Sequence, residues 1–336
     1  MQYRSVIFLL TMFLLLSPGL SFMGCASRGA ISAEEYFAIG MAYFDMGRYA
    51  EAELWLNRAR ARDRTMNASE YNLGRIAFET GRFDDAIKQF ESIIKRDPDN
   101  VLALRAAAYT EIRRGEIEKA AAWYARLLEL VPESADDGYN HALVLFAMEK
   151  YAEAEDVLQN YEFALLENAD VLLLFARIQK EQGKPEAIDT YASWLNNNTD
   201  VKVRFEYGQV LESHDMFARA LEEYHEALVA LADTSRDPSR PEVRFAIARV
   251  LLVAESDKPD GVAELREAVA GGFDDVDAIA LLLDDRRISA VNREDIRTIH
   301  TEVLRAVEAV GSVEEPEVET DPDEPDDYSE TEGTTQ

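Results

Sequence analysis

One side chain among the 336 residues is a thiol, and it stands in the stretch Ser21-Phe22-Met23-Gly24-Cys25-Ala26. A lone cysteine cannot close a disulfide within its own chain, so Cys25 offers a point of covalent modification rather than a bridge. The four histidines are too scattered to read as a ligand set: His141 falls at a helix-packing position, His214 in a turn, His225 on an exposed face and His300 in the last helix. Neither a His-Glu-x-x-His pair nor a glycine-rich loop followed by Lys occurs, so zinc hydrolysis and phosphate cradling have no carrier. Carboxylates abound, but in a chain of net charge −30 neighbouring Asp and Glu read as solvated helix faces. No catalytic residue, no metal and no cofactor is expected, and the chain is read as a non-enzyme.

The segment in front of Cys25 explains the thiol. Arg4 precedes an apolar run from Val6 to Leu16, broken only by Thr11, and Ser17-Pro18-Gly19 ends it. A basic start, a short apolar core and a small-residue exit describe a secretory signal peptide over residues 1–24. A membrane-spanning helix would need about 20 apolar residues. Phe22-Met23-Gly24-Cys25 resembles a bacterial lipobox, with Phe22 in place of the usual leucine, as in the looser spirochaetal form. That resemblance implies cleavage before Cys25 and acylation of its sulfur, leaving residues 25–32 as a lipidated tether. Two or three acyl chains hold a protein stably where a single chain binds only marginally. The expected location is the bacterial cell envelope, facing the periplasm. Ala26 is not the aspartate of inner-membrane retention, which favours the outer membrane by analogy.

The opposite end differs in kind. Residues 312–336 carry eleven Asp or Glu, three Pro and no Lys or Arg. One-signed charge with few apolar residues predicts a disordered acidic tail. The body is also acidic, which excludes nucleic acid as a partner because a phosphate backbone needs a cationic stripe. Whole-chain charge likewise disfavours docking on anionic lipid.

Between the ends the sequence repeats. Gly40, Gly74, Ala108, Ala142 and Ala176 lie 34 residues apart, and Ala52, Ala86, Ala120 and Ala154 follow the first four by twelve. Gly208 and Ala220 keep that spacing, Ala187 comes eleven after Ala176, and Ala263 comes fifteen after Ala248 through a turn around Pro259. Small residues at these positions let two helices cross closely. The pattern, with Gly-Arg-aromatic turns at Gly47-Arg48-Tyr49 and Gly81-Arg82-Phe83, resembles the tetratricopeptide repeat. The resemblance implies an all-α, right-handed superhelical solenoid of about seven helix pairs over residues 33–273. Helices over 274–311 would cap it, with Asn292 as the N-cap of the last. Asp233–Pro241, with two prolines, is expected to interrupt the stack.

In that family the fifth and ninth residues of each first helix line a concave groove. Here the fifth positions are Phe37, Tyr71, Arg105, Tyr139, Leu173, Phe205 and Phe245. The ninth are Met41, Arg75, Tyr109, Leu143, Arg177, Gln209 and Arg249. Aromatics and arginine are the types enriched at binding hot spots, so these rows are the candidate partner-binding groove. The same residues could instead pack between repeats, with each arginine paired to an acidic neighbour. No repeat has the Lys and Asn of the family's carboxylate clamp. The expected partner is another envelope protein or a peptide segment of one, with the membrane engaged through the lipid on Cys25. The alternative is an accessory role in ligand uptake, beside a solute-binding protein, with a small apolar ligand held in the groove.

Overall fold

The computed structural model describes residues 31–161, 167–232, 234–255 and 258–311. The signal peptide, Cys25 and the acidic tail lie outside the described residues. Contacts divide the chain into two units, one ending at Val131 and the other beginning at Pro132.

The first unit holds three helix pairs: α1 (Ala33–Asp45) with α2 (Tyr49–Arg62), α3 (Asn67–Glu79) with α4 (Phe83–Arg96), and α5 (Val101–Arg114) with α6 (Ile117–Leu130). The second holds α7 (Ala135–Ala147) with α8 (Tyr151–Gln159), α9 (Ala169–Glu181) with α10 (Glu186–Leu195), and α11 (Val201–Ser213) with α12 (Phe217–Ala230). It continues with α13 (Arg240–Ala254) and α14 (Asp260–Ala270), then α15 (Val276–Asp284) and α16 (Ala290–Gly311). Helix is the only repetitive structure among the described residues, so the fold is all-α.

Local chemistry sets the alternation. First helices of the pairs, α3 excepted, start at side-chain caps: Ser32, Asn100, Ser134, Asn168, Asp200 and Ser239 each accept from a backbone N–H of their first turn. Second helices α2, α4, α6, α8, α10 and α12 have no such cap and follow a left-handed residue instead. Gly47, Gly81, Gly115 and Gly183 take that role at φ between 66° and 79°, and Glu149 and Asp215 replace glycine at 59° and 57°. The next N–H then reaches back five residues, as in Arg82 N to Ala77 O at 2.7 Å, closing a Schellman turn.

Small residues occupy the crossings. Ala52, Ala86, Ala120, Ala154, Ala187 and Ala220 are all at 0% exposure. Four residues on, Leu56, Phe90, Tyr124, Leu158, Tyr191 and Tyr224 fill the space beneath the first helix. A methyl added at Gly74 would sit 2.6 Å from the Phe90 ring, so only hydrogen fits there.

Three expectations differ from what forms. Ala263 is exposed; the buried crossing residue of the seventh pair is Gly261, thirteen after Ala248, with Leu265 and Ala268 repeating the Leu56 and Ala59 spacing. The spacing between crossing residues is therefore longer by one residue, not three. The segment 233–241 does not interrupt the stack, because Tyr224 and Ala227 share one core cluster with Val243, Ala246 and Val250. Ser239 and Glu242 close a capping box that restarts the helix at once. Finally, the last helix is capped by Ser289, whose hydroxyl accepts from Asn292 N at 3.2 Å. The Asn292 side chain is buried and donates to Lys258 O, also at 3.2 Å.

Candidate protein-binding face

The residues of the expected groove lie on the odd-numbered helices, in two sets, one per unit. In the first unit Phe37 packs on the cluster of Leu56, Leu73 and Ile76. Tyr71 lies 5.6 Å from Phe90. The Arg75 guanidinium stands 4.5 Å over Phe44 and donates to Asn72 Oδ1 at 3.1 Å. Tyr109 is half exposed, 5.3 Å from Phe78, and Arg113 covers the Phe78 and Phe83 rings at 5.5 and 5.1 Å. Arg105 is partly buried and is also engaged.

In the second unit the arginines meet carboxylates. Arg177 donates through Nε and Nη2 to Glu206 at 2.9 and 3.0 Å, and the Tyr191 hydroxyl donates to the same carboxylate at 3.1 Å. The arrangement recurs: Arg249 donates twice to Glu212 at 2.5 and 2.7 Å, and the Tyr224 hydroxyl adds a bond at 2.8 Å. Helix α11 supplies both carboxylates, reaching back to α9 with Glu206 and forward to α13 with Glu212. Burial, and then the adjacent glutamate, push the phenols of Tyr191 and Tyr224 far above their ordinary value, so both remain donors. At Arg177 and Arg249 the alternative left open by the sequence holds, each arginine being paired to an acidic neighbour. Two-point arginine–carboxylate bonds of this kind fix orientation as well as energy.

The aromatics of this unit also carry packing. Tyr139 lies against the Ala142 and Leu145 cluster, and burial raises its phenol. Phe205 is 5.5 Å from Tyr224, and Phe245 stacks on Phe273 at 4.2 Å. Burial holds His141 below its usual imidazole range, consistent with a core position.

Between α11, α13 and α15 a cavity of about 450 Å³ opens to solvent, lined by Glu212, Phe217, Phe245, Arg249, Leu281 and Arg287 among others. Leu281 is 70% exposed at its wall, a large apolar side chain with no cover. Asp215, at the left-handed turn position, accepts from Arg287 at 3.2 Å, and Arg287 also chelates Asp285. Of the predicted residues Gln209, Phe245 and Arg249 reach this cavity. Glu206, Glu212, Leu281 and Arg287 were outside the sequence prediction. Only Glu206 left a trace in the spacing, because its bond from Arg177 spans 29 residues, as does the pair of Arg82 with Glu53, whereas Glu212 lies 37 from Arg249. The 29-residue separation recurs between successive first or second helices.

Known proteins agree with this architecture. Residues 33–64 and 71–135 match tetratricopeptide-repeat family models. Over 156 residues, 46% of this chain and 80% of the relative, the sequence is 27% identical to an uncharacterized lipoprotein of Treponema pallidum strain Nichols. The crystal structure of a tetratricopeptide repeat protein from Parabacteroides merdae superposes with a TM-score of 0.51 at 20% identity, covering 75% of this chain and 98% of its own. Helix pairs, crossing residues and turns follow the repeat, and the chain has the tetratricopeptide-repeat fold, with residues 33–64 and 71–135 matching the family itself.

Proposed function

We propose that this chain is a lipid-anchored scaffold of the bacterial cell envelope, facing the periplasm, that holds a segment of another protein against the first helices of its repeats. The anchor reading rests on Phe22-Met23-Gly24-Cys25 and on the likeness to a lipoprotein. The binding reading is carried by the cavity of α11, α13 and α15, where uncovered Leu281 and the Phe217 and Phe245 rings sit beside fixed charge pairs. Apolar anchors ringed by ordered polar groups suit a peptide with one large apolar side chain. The cavity is open, which favours a protein segment over an enclosed small apolar ligand.

Site-specific photocrosslinking in cells tests this. A photoreactive residue at Leu281 should give one discrete adduct with an envelope protein, and one at Val229, 87% exposed on α12, should give none. Equal labelling at both positions, or none at Leu281, contradicts the reading.

A further inference from the structure

Some arginines of the described residues meet carboxylates, as Arg82 does with Glu53 and Arg114 with Asp84 and Glu111, and others lie over rings, as Arg75 and Arg113 do. The end of α2 gathers four without a carboxylate. Arg58, Arg60, Arg62 and Arg64 fall within seven residues, and no carboxylate among the described residues lies at ion-pair distance from any of them. Arg58 stands 4.4 Å over the Trp55 ring. Arg60 donates only to neutral acceptors, Gln89 Oε1 at 3.1 Å and Asn57 Oδ1 at 2.9 Å. Nearby carboxylates are occupied: Asp63 accepts from the Thr65 N–H at 2.8 Å and hydroxyl at 2.7 Å, and Glu35 closes its capping box on Ser32 N at 2.8 Å.

Apolar and aromatic surface accompanies these charges. Trp55 stacks on Tyr36 of α1 at 5.8 Å, and Leu54 and Ile31 are 51% and 42% exposed. Trp55, Arg58 and Arg62 share one stripe of α2, because residues three and seven apart return to the same helical face. Trp and Tyr settle at the headgroup level of membranes, and arginine is drawn to anionic headgroups.

We propose that this face of the first repeat lies on the anionic headgroups of the membrane that holds Cys25; the proposal rests on the acylation reading given above. Seven residues lie between Cys25 and Ala33, so the first helix can start at most about 28 Å from the Cα of the acylated cysteine. Whole-chain negative charge does not forbid the contact, since screening confines repulsion to about 8 Å at physiological salt. The anchor then does more than retain the protein: it seats the first repeat on the bilayer and sets the direction in which the rest of the chain leaves it.

Vesicle flotation of the mature chain with Cys25→Ser separates this surface from the acyl chains. The protein should float with vesicles of phosphatidylcholine and phosphatidylglycerol in equal parts and not with phosphatidylcholine alone. Replacing Arg58, Arg62 and Arg64 by Gln should lower partitioning about fivefold for each charge removed. The side chains are exposed or nearly so, and circular dichroism should show the helices intact. Arg297→Gln, which removes an exposed arginine already paired with Glu294, should leave partitioning unchanged. Equal flotation of the triple variant and the parent overturns the proposal, as does failure of the parent to float. Displacement by inorganic phosphate at constant ionic strength also overturns it, because the site would then take free phosphate. The mass of the N-terminal peptide of the native protein reports acylation independently, so the two readings can fail separately.

Discussion

Replacing Gly208 by Ala should destabilise the second unit, although alanine is the better helix former. A Cβ built on Gly208 lies 2.4 Å from Tyr224 Cε1 and 2.6 Å from Cδ1. The ring has no room to withdraw: Tyr224 is fully buried, its hydroxyl is bonded to Glu212, and Glu212 is gripped by Arg249. Overpacking of this kind costs about 1–3 kcal/mol. Against it stands a gain of about 1 kcal/mol from exchanging glycine for alanine inside a helix. The net loss should be about 1 kcal/mol, read as a lower urea midpoint by circular dichroism. In a Tyr224→Leu background the obstructing ring atoms are gone, and the same change should become stabilising by up to about 1 kcal/mol. The reversal of sign is the test. An equal effect in both backgrounds, or a raised midpoint in the parent, would refute close crossing of α11 and α12 at this residue.

Other perturbations follow from the same contacts. Ala120→Leu should cost about 1–3 kcal/mol in the first unit, with amide exchange rising in the adjoining helix pair because repeats are stabilised by their neighbours; a parental melt would mean the register is wrong. Arg249→Met leaves Glu212 with the Tyr224 hydroxyl alone and should cost about 1–2 kcal/mol, below the value for a fully buried pair because the arginine keeps part of its exposure. Adding Glu212→Gln should recover part of that loss in denaturant melts. Burial depresses His141 in the folded state, so the unfolded chain takes up a proton first as pH falls. The His141 contribution is therefore intact at neutral pH and declines as pH drops through the ordinary imidazole value toward the folded one. The stability difference between the parent and His141→Gln should change over that interval and be flat above it.

The repeat was legible because its crossings tolerate one class of residue. Gly40, Gly74, Ala108, Ala142 and Ala176 keep their 34-residue spacing wherever the turns keep theirs. Legibility failed where turn length varied: two small residues, Gly261 and Ala263, compete near Pro259, and only burial shows which one meets α13. Asn292 has the chemistry of a cap, but Ser289 stands three residues earlier and takes the role, freeing the amide to bind Lys258 O. The groove was harder to read. Family positions pick out Arg177 and Arg249 but not the glutamates 29 and 37 residues away that neutralise them, since pairing across helices depends on rotamers and helix rotation. Leu281 could not be placed from sequence either, because its exposure follows from how α15 meets α13.

The central claim is a repeat scaffold fixed to a membrane at one end, and the N-terminal peptide of the protein purified from envelopes tests it most directly. Mass spectrometry should find a peptide beginning at Cys25 and carrying acyl chains, and Cys25→Ser should lose both the modification and membrane retention. An unmodified Cys25, an intact Met1 start, or membrane retention unchanged in Cys25→Ser would contradict the account.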